Sequence, residues 1–230
     1  QGDEDYCGYP IHTDEKLRQY IELALDKKQQ LLAHCNGDAA AQQYITQFEN
    51  VLAEKKEQDI YRAVMVHAQL VRKDQLKTMA VIGMMPSFFV AHTYFWGDIH
   101  LQNFGYERGS QVSPVRDAIE YGMKYTFHQD TPVLPPDMLR TVWCAVNRVS
   151  RTGESIGKNQ KISVLDALKA ITIYGAYQYF EEKEKGSIAC GKLADFVILE
   201  KDPLSVDVRE LKDIRVLATI KEGREIFRRN

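Results

Sequence analysis

The chain has 230 residues, 44% of them hydrophobic and 27% charged, with a formal net charge of −2. That is near the lower end of the ~250 residues usual for a closed eight-stranded α/β barrel and enough for one domain with a real core; the balance excludes a disordered, collagen-like or broadly nucleic-acid-binding chain. No run approaches roughly 18 consecutive apolar residues and no basic-then-apolar leader opens the chain, so neither a membrane span nor a signal peptide is expected.

Cys7, Cys35, Cys144 and Cys190 lie far apart with no C-x-x-C pair. This argues against a disulfide framework or zinc knuckle and for a cytoplasmic location. The chain opens on Gln1 rather than Met, as a processed product or a fragment would.

In chain order, residues 13–28 place Leu17, Tyr20, Ile21 and Leu25 at helical spacing behind Thr13 or Asp14 as cap. QLLAHC then reads as a short strand, with Gly37 in the turn and Asp38 capping a helix over 39–55 whose apolar face is Tyr44, Ile45, Phe48, Val51 and Leu52. After the polar EKKEQD segment, YRAVMV forms a second strand ending at His67. A short helix over 73–82 follows, then GMMPSFFVAH as a third strand carrying His92, a helix over 114–121, and GMKYTFHQD as a fourth strand ending at Asp130. From Ser163, SVLDALKAITIYGAYQYF predicts one helix with a stripe of Leu165, Leu168, Thr172 and Ala176. The tail, KGSIACGKLADFVIL and IRVLATIKEGREIF, reads as a small β module with a KEGRE hairpin.

Four strand-plus-helix units, with His34, His67 and Asp130 at the ends of the first, second and fourth strands and separated by 33 and 63 residues, about one and two units, describe part of a parallel barrel whose ligands share one rim. Two imidazoles and a carboxylate suit a divalent ion, zinc above all, with a coordination position left for water. His92 reads as a rim or substrate-pocket histidine. Trp96 and Phe95 could wall an apolar pocket or simply pack in the core. His128 shares the parity of Asp130 and faces the same interior, though not as an expected ligand. His12 and His100 are expected on solvated loops.

These segments resemble the amidohydrolase superfamily of metal-dependent hydrolases, and within it the YtcJ-like branch that includes N-substituted formamide deformylases. LLAHCNGDAA is similar to the branch's H-x-x-G-D-A segment after strand five and VMVHAQ to its E-H-A-Q segment after strand six. YTFHQDTPVLPPD is similar to its G-S-D-x-P turn after strand eight, and KGSIACGKLADFVILEKDP to the superfamily's closing signature. The resemblance covers about residues 8–228. It implies an α/β fold: the C-terminal half of a (β/α)8 TIM-type barrel, strands five to eight, over residues 1–185, with 186–230 supplying strands of a composite small β-sandwich.

Carried over, the resemblance makes His34 and His67 metal ligands and Asp130 both ligand and base, acting on a water whose pKa an ion can lower from 15.7 to ~7. The implied substrate is a small amide-like molecule cleaved at a C–N bond. In the HQDTP segment, His128 and Gln129 stand where the pattern has Gly and Ser. No H-x-H pair, the superfamily's strand-one signature, occurs in the chain. The expectation is therefore an incomplete, poorly active portion of an enzyme, needing its N-terminal half or a second copy to cover open sheet edges. The competing expectation is a metal-free scaffold on a hydrolase fold. Neither nucleic acid nor membrane is an expected partner; the basic REIFRRN terminus reads as solvated.

Overall fold

A computed structural model describes residues 8–56 and 61–230; Cys7 and the end of the polar EKKEQD segment fall outside them. Helix α1 (Asp14–Asp26) begins where the Thr13 side chain accepts the Lys16 N–H, and it buries Ile21 and Leu25. Strand β1 (Leu32–Cys35) leads into α2 (Asp38–Lys55), which buries Ala41, Tyr44, Ile45, Phe48 and Val51. The cap residue is Gly37 rather than Asp38; the Asp38 carboxylate instead accepts the Ala39 N–H and a bond from Arg108. Strand β2 (Val64–His67), α3 (Lys73–Val81) and β3 (Met85–Phe88) follow as the periodicity predicts.

The third strand stops four residues short of His92. Phe89–Ala91 form a turn, and His92 opens the one-turn helix α4 (His92–Phe95), followed by α5 (Gly97–Gly109). After α6 (Val115–Glu120), β4 is only Thr126–Phe127, so Asp130 sits in the turn beyond it. The sequence reading has no helix for α5 or for α7 (Met138–Asn147). The long helix expected from Ser163 is two: α8 (Val164–Ala170), capped by Ser163 as expected, and α9 (Ile173–Gln178). They break at Thr172, whose backbone is non-helical (φ −129°, ψ −97°), and the buried positions are Ala167, Ala170, Ala176 and Gln178, while Leu165 is exposed. Small residues let α8 and α9 approach the core closely, and this erased the Leu stripe on which a single helix rested.

The sheet is parallel, in the order β1-β2-β3-β4. Register puts His34, Val66, Ser87 and Thr126 in one row across it. Side chains alternate along a strand, so the next row, Cys35, His67, Phe88 and Phe127, has the opposite parity. Cys35, Phe88 and Phe127 belong to the buried core, whereas Leu32 and His34 remain exposed. Among the described residues Cys35, Cys144 and Cys190 are free thiols.

Near the start of the strands, Gln178 ties Gln30, ahead of β1, to Thr126 of β4. Its side-chain oxygen accepts the Thr126 hydroxyl at 2.7 Å and its carbonyl accepts the Gln30 amide at 2.6 Å. Arg62 locks the same end: its guanidinium lies between the Tyr177 ring (3.5 Å) and the Phe180 ring (4.2 Å) and makes two bonds to Glu182. Partial burial strengthens both contacts relative to solvent. Arg62→Ala is therefore expected to lower unfolding free energy by about 1–3 kcal/mol, and Arg62→Lys nearly as much because ammonium cannot stack and fork at once. Urea titration of the two variants measures this.

The tail forms an antiparallel sheet of β5 (Phe196–Leu199), β6 (Val216–Lys221) and β7 (Arg224–Arg228), the last two joined by the expected hairpin. A 3-10 turn (Val208–Asp213) anchors the tail to α7: Trp143 Nε1 donates to the Arg209 carbonyl and Asn147 Nδ2 to that of Val208. Leu211 and Ile214 of this segment share the main core. No helix among the described residues is long and apolar enough to cross a membrane.

Candidate metal centre

The parallel strands end on one rim, and there the chain leaves regular geometry. His67 and Ala68 both adopt left-handed backbone (φ 72° and 46°), as does Asp130 (φ 53°). Non-glycine residues in this region cost of order 1 kcal/mol or more each and collect at functional sites. The turn at His67 has a definite effect. Its strand parity would send the side chain into the core with Cys35 and Phe88, yet the ring stands 4.4 Å from that of His34, edge-on, and 4.9 Å from that of His128.

His67, His128 and Asp130 each offer one ligand atom, and these atoms lie within 4.8 Å of one another. His128 Nε2 is 3.2 Å from His67 Nδ1, and His128 Nδ1 is 3.0 Å from the Ser87 hydroxyl. His34 stands outside this trio but in ring contact with His67. Of the three ligands expected from the sequence, the fold thus brings His67 and Asp130 directly together and sets His34 beside them. The residue sequence reasoning declined to count as a ligand, His128, is in the cluster; its shared parity with Asp130 was the available signal.

His92 and Trp96 flank the cluster, with ring centroids 4.6 Å apart, and Phe89 touches both of them and the rings of His67 and His128. His100, expected on a solvated loop, lies half-buried in α5, with Nε2 3.0 Å from His92 Nδ1. Two neutral imidazoles linked this way carry their protons on like nitrogens, both on Nδ1 or both on Nε2, because the shared hydrogen belongs to one ring. His12 is exposed on a bend, as expected.

Burial pulls the imidazole pKa of His67 below its ordinary value, with nearby His34 adding to the effect and Asp130 opposing it. Burial takes His128 down to about 4, helped by His67, and takes His92 to about 4, helped by His100. All three rings are therefore neutral at pH 7, the form in which a ring nitrogen can ligate. In the unfolded chain the His92 and His128 rings hold protons below about 6.5, whereas the folded protein refuses them until about 4, and His67 shifts in the same direction, so acidification across that window removes stability. Urea midpoints are expected to fall steadily from pH 7 to pH 4, and a flat profile over that range would contradict the burial of these rings.

The donor set fits a divalent ion. Two nitrogens bound tetrahedrally at 2.0–2.1 Å stand ~3.3 Å apart, close to the His67–His128 separation, and imidazole with carboxylate suits zinc-like ions better than magnesium or calcium. The Amidohydro_3 pattern of the amidohydrolase family matches residues 2–227. The chain belongs to the amidohydrolase family. It is 26% identical over 237 residues to the YtcJ protein of Bacillus subtilis (strain 168), covering 100% of this chain and 43% of YtcJ. It is 25% identical over 198 residues to the N-substituted formamide deformylase of Arthrobacter pascens, covering 84% of this chain and 35% of that enzyme. Among solved structures, it is similar to an uncharacterized metal-dependent hydrolase from Pyrococcus horikoshii OT3, with a TM-score of 0.77 and 26% identity, over 90% of this chain and 41% of the other. The chain spans less than half the length of each of these relatives.

Proposed function

We propose that the protein carrying this amidohydrolase-family chain hydrolyses amide-like C–N bonds of a small molecule with the help of a divalent ion, most simply zinc. The observation that carries the reading is the convergence of His67, His128 and Asp130, with His34 in ring contact, at the ends of parallel strands. The ion would polarise the scissile carbonyl and lower the pKa of water from 15.7 to ~7. His34 and His67 would hold it from β1 and β2. The Asp130 carboxylate, on the turn after β4, would hold it from the third side and take the proton of the attacking water on a carboxylate oxygen. Asp130 is exposed, so it can reach solvent and substrate without backbone movement. His92 and Trp96 would bind the substrate, the ring faces excluding water from its apolar part.

In this reading β1–β4 are strands five to eight of a (β/α)8 barrel. Residues 1–185 are its C-terminal half and 186–230 are strands of a small composite β-sandwich. The open edges of β1 and β4 and the exposed His34 face would be covered by an N-terminal half or, failing that, by a second copy. Free thiols at Cys35, Cys144 and Cys190 support a reducing, cytoplasmic setting.

The test is a substrate panel of N-substituted formamides, other amides, cyclic amides and esters, given to the whole protein that contains this chain. Chelation should abolish C–N cleavage and added zinc or cobalt should restore it. Cleavage indifferent to chelation, or none after metal reloading, would favour the metal-free scaffold.

A further inference from the structure

Asp130 sits in a segment where the chain departs from its family's pattern: two residues earlier, where the similar G-S-D-x-P turn has Gly, this chain has His128. Glycine offers no ligand, so the departure adds a donor atom at the site. The fold places that atom deliberately. His128 N–H donates to the Phe88 carbonyl at 3.2 Å, which prolongs the β3–β4 ladder one residue past β4 and fixes the ring's origin. Parity then sends the side chain to the His34 face, where Ser87 is its neighbour in the adjacent strand.

Resting on the metal-dependent reading above, we infer that His128 is a further ligand of the ion, through Nε2, and that Ser87 is a positioning residue that sets its tautomer. A hydroxyl can accept from Nδ1–H, and a ring protonated there presents a bare lone pair at Nε2. That lone pair faces His67 Nδ1 at 3.2 Å, the separation of two donors on one ion rather than of two groups avoiding each other. The reverse assignment, with Nε2–H of His128 donating to His67, occupies both nitrogens and removes both rings from ligation; an ion competes with that hydrogen bond and replaces it. With His34 the resulting set is three imidazoles and one carboxylate, a set that favours borderline ions such as zinc and cobalt over hard ones. The chain thereby supplies four donors, and the attacking water would enter as a fifth by expansion of the ion's coordination.

The experiment is competitive titration of the chain with Co2+, followed by its visible spectrum, together with 15N NMR of histidine-labelled chain before and after Zn2+. Wild type should bind one ion with a tetrahedral cobalt spectrum, and the His128 Nε2 resonance should shift on adding Zn2+. His128→Gly, which installs the family's residue, should weaken binding more than roughly 100-fold and lose the tetrahedral bands; Ser87→Ala should weaken it about 10–100-fold, with Ser87→Thr restoring it. Binding unchanged in His128→Gly while His67→Ala abolishes it would overturn this inference and leave the metal-dependent reading standing. No ion bound by wild type would overturn both. Should His128→Gly not fold, the NMR shift of His128 in wild type decides: an Nε2 line unmoved by saturating Zn2+ overturns the inference.

Discussion

Replacing His67 with alanine, or Asp130 with asparagine, is expected to weaken divalent-ion binding by more than roughly 100-fold, beyond the 10–100-fold range typical of losing an outer hydrogen-bond partner. His67 occupies the middle of the cluster, in ring contact with both His34 and His128, and it is nearly fully buried, so removing its ring leaves a gap that water fills rather than another side chain. Asp130 supplies the only carboxylate of the trio. Its loss removes negative charge, the component that offsets the charge of the ion, while Asn keeps the shape and a carbonyl oxygen. The two losses differ in kind: His67→Ala puts into the left-handed position at residue 67 a side chain that favours it less than histidine does, whereas Asn tolerates the αL region as Asp does and leaves the Asp130 turn intact. Calorimetric zinc titration should therefore show both variants weak in binding, with Asp130→Asn as stable as wild type. Retention of wild-type affinity by either variant would remove that residue from the metal centre.

The second large effect is expected at Arg148, a residue outside the candidate metal cluster. This residue ends α7 in left-handed conformation, is fully buried, and spends its guanidinium on four backbone carbonyls: Ile156 (2.6 Å), Ser113 (2.9 Å), Ser110 (3.3 Å) and Val112 (2.7 Å). Burial pulls its pKa down to about 9, which leaves it protonated at pH 7. The packing around the clamp is close: a side chain at Gly157, which has φ 67°, would meet the Ser110 carbonyl at 2.1 Å. Arg148→Met fills similar volume but strands four buried acceptors, each costing about 1–3 kcal/mol if unsatisfied, partly recovered by relaxation and water. A loss of about 3–5 kcal/mol is expected, a large share of the 5–15 kcal/mol total of a typical domain. Arg148→Lys, with one point of charge for a planar fork, should recover only part of it. A urea-measured change below about 1 kcal/mol would mean the carbonyls find other partners. The clamp also reaches the rim, since the Ser113 N–H donates to the Gln69 carbonyl two residues beyond His67, so the surviving folded fraction should bind metal more weakly.

Much of the parallel sheet was legible because its strands are short apolar runs punctuated by turn residues, and a ligand at a strand end is visible wherever a histidine or aspartate closes such a run. His34, His67 and Asp130 are the candidates this pattern offers, and the fold sets them near one rim. What could not be read was direction. His67 has the wrong parity for the rim, and only the left-handed backbone at residues 67 and 68 turns it there, a property of φ that no periodicity carries. His128 was visible by its shared parity with Asp130, but parity alone does not make a histidine an expected ligand. α5 escaped notice because apolar and polar residues are mixed around it, with a non-helical Gly105 inside. α7 was missed for the opposite reason: from Thr141 to Asn147 every residue is buried, so neither helical nor strand periodicity stands out from a short apolar run. The helix from Ser163 was read as continuous because the break at Thr172 involves no glycine or proline.

The central claim is that side chains from separate strand ends of this chain converge on one divalent ion. X-ray absorption at the zinc edge of the metal-loaded chain tests it most directly. The account predicts one ion per chain with nitrogen neighbours at 2.0–2.1 Å showing imidazole outer-shell scattering, together with a carboxylate oxygen. An ion surrounded by oxygen alone, or no ion retained after dialysis, would contradict it.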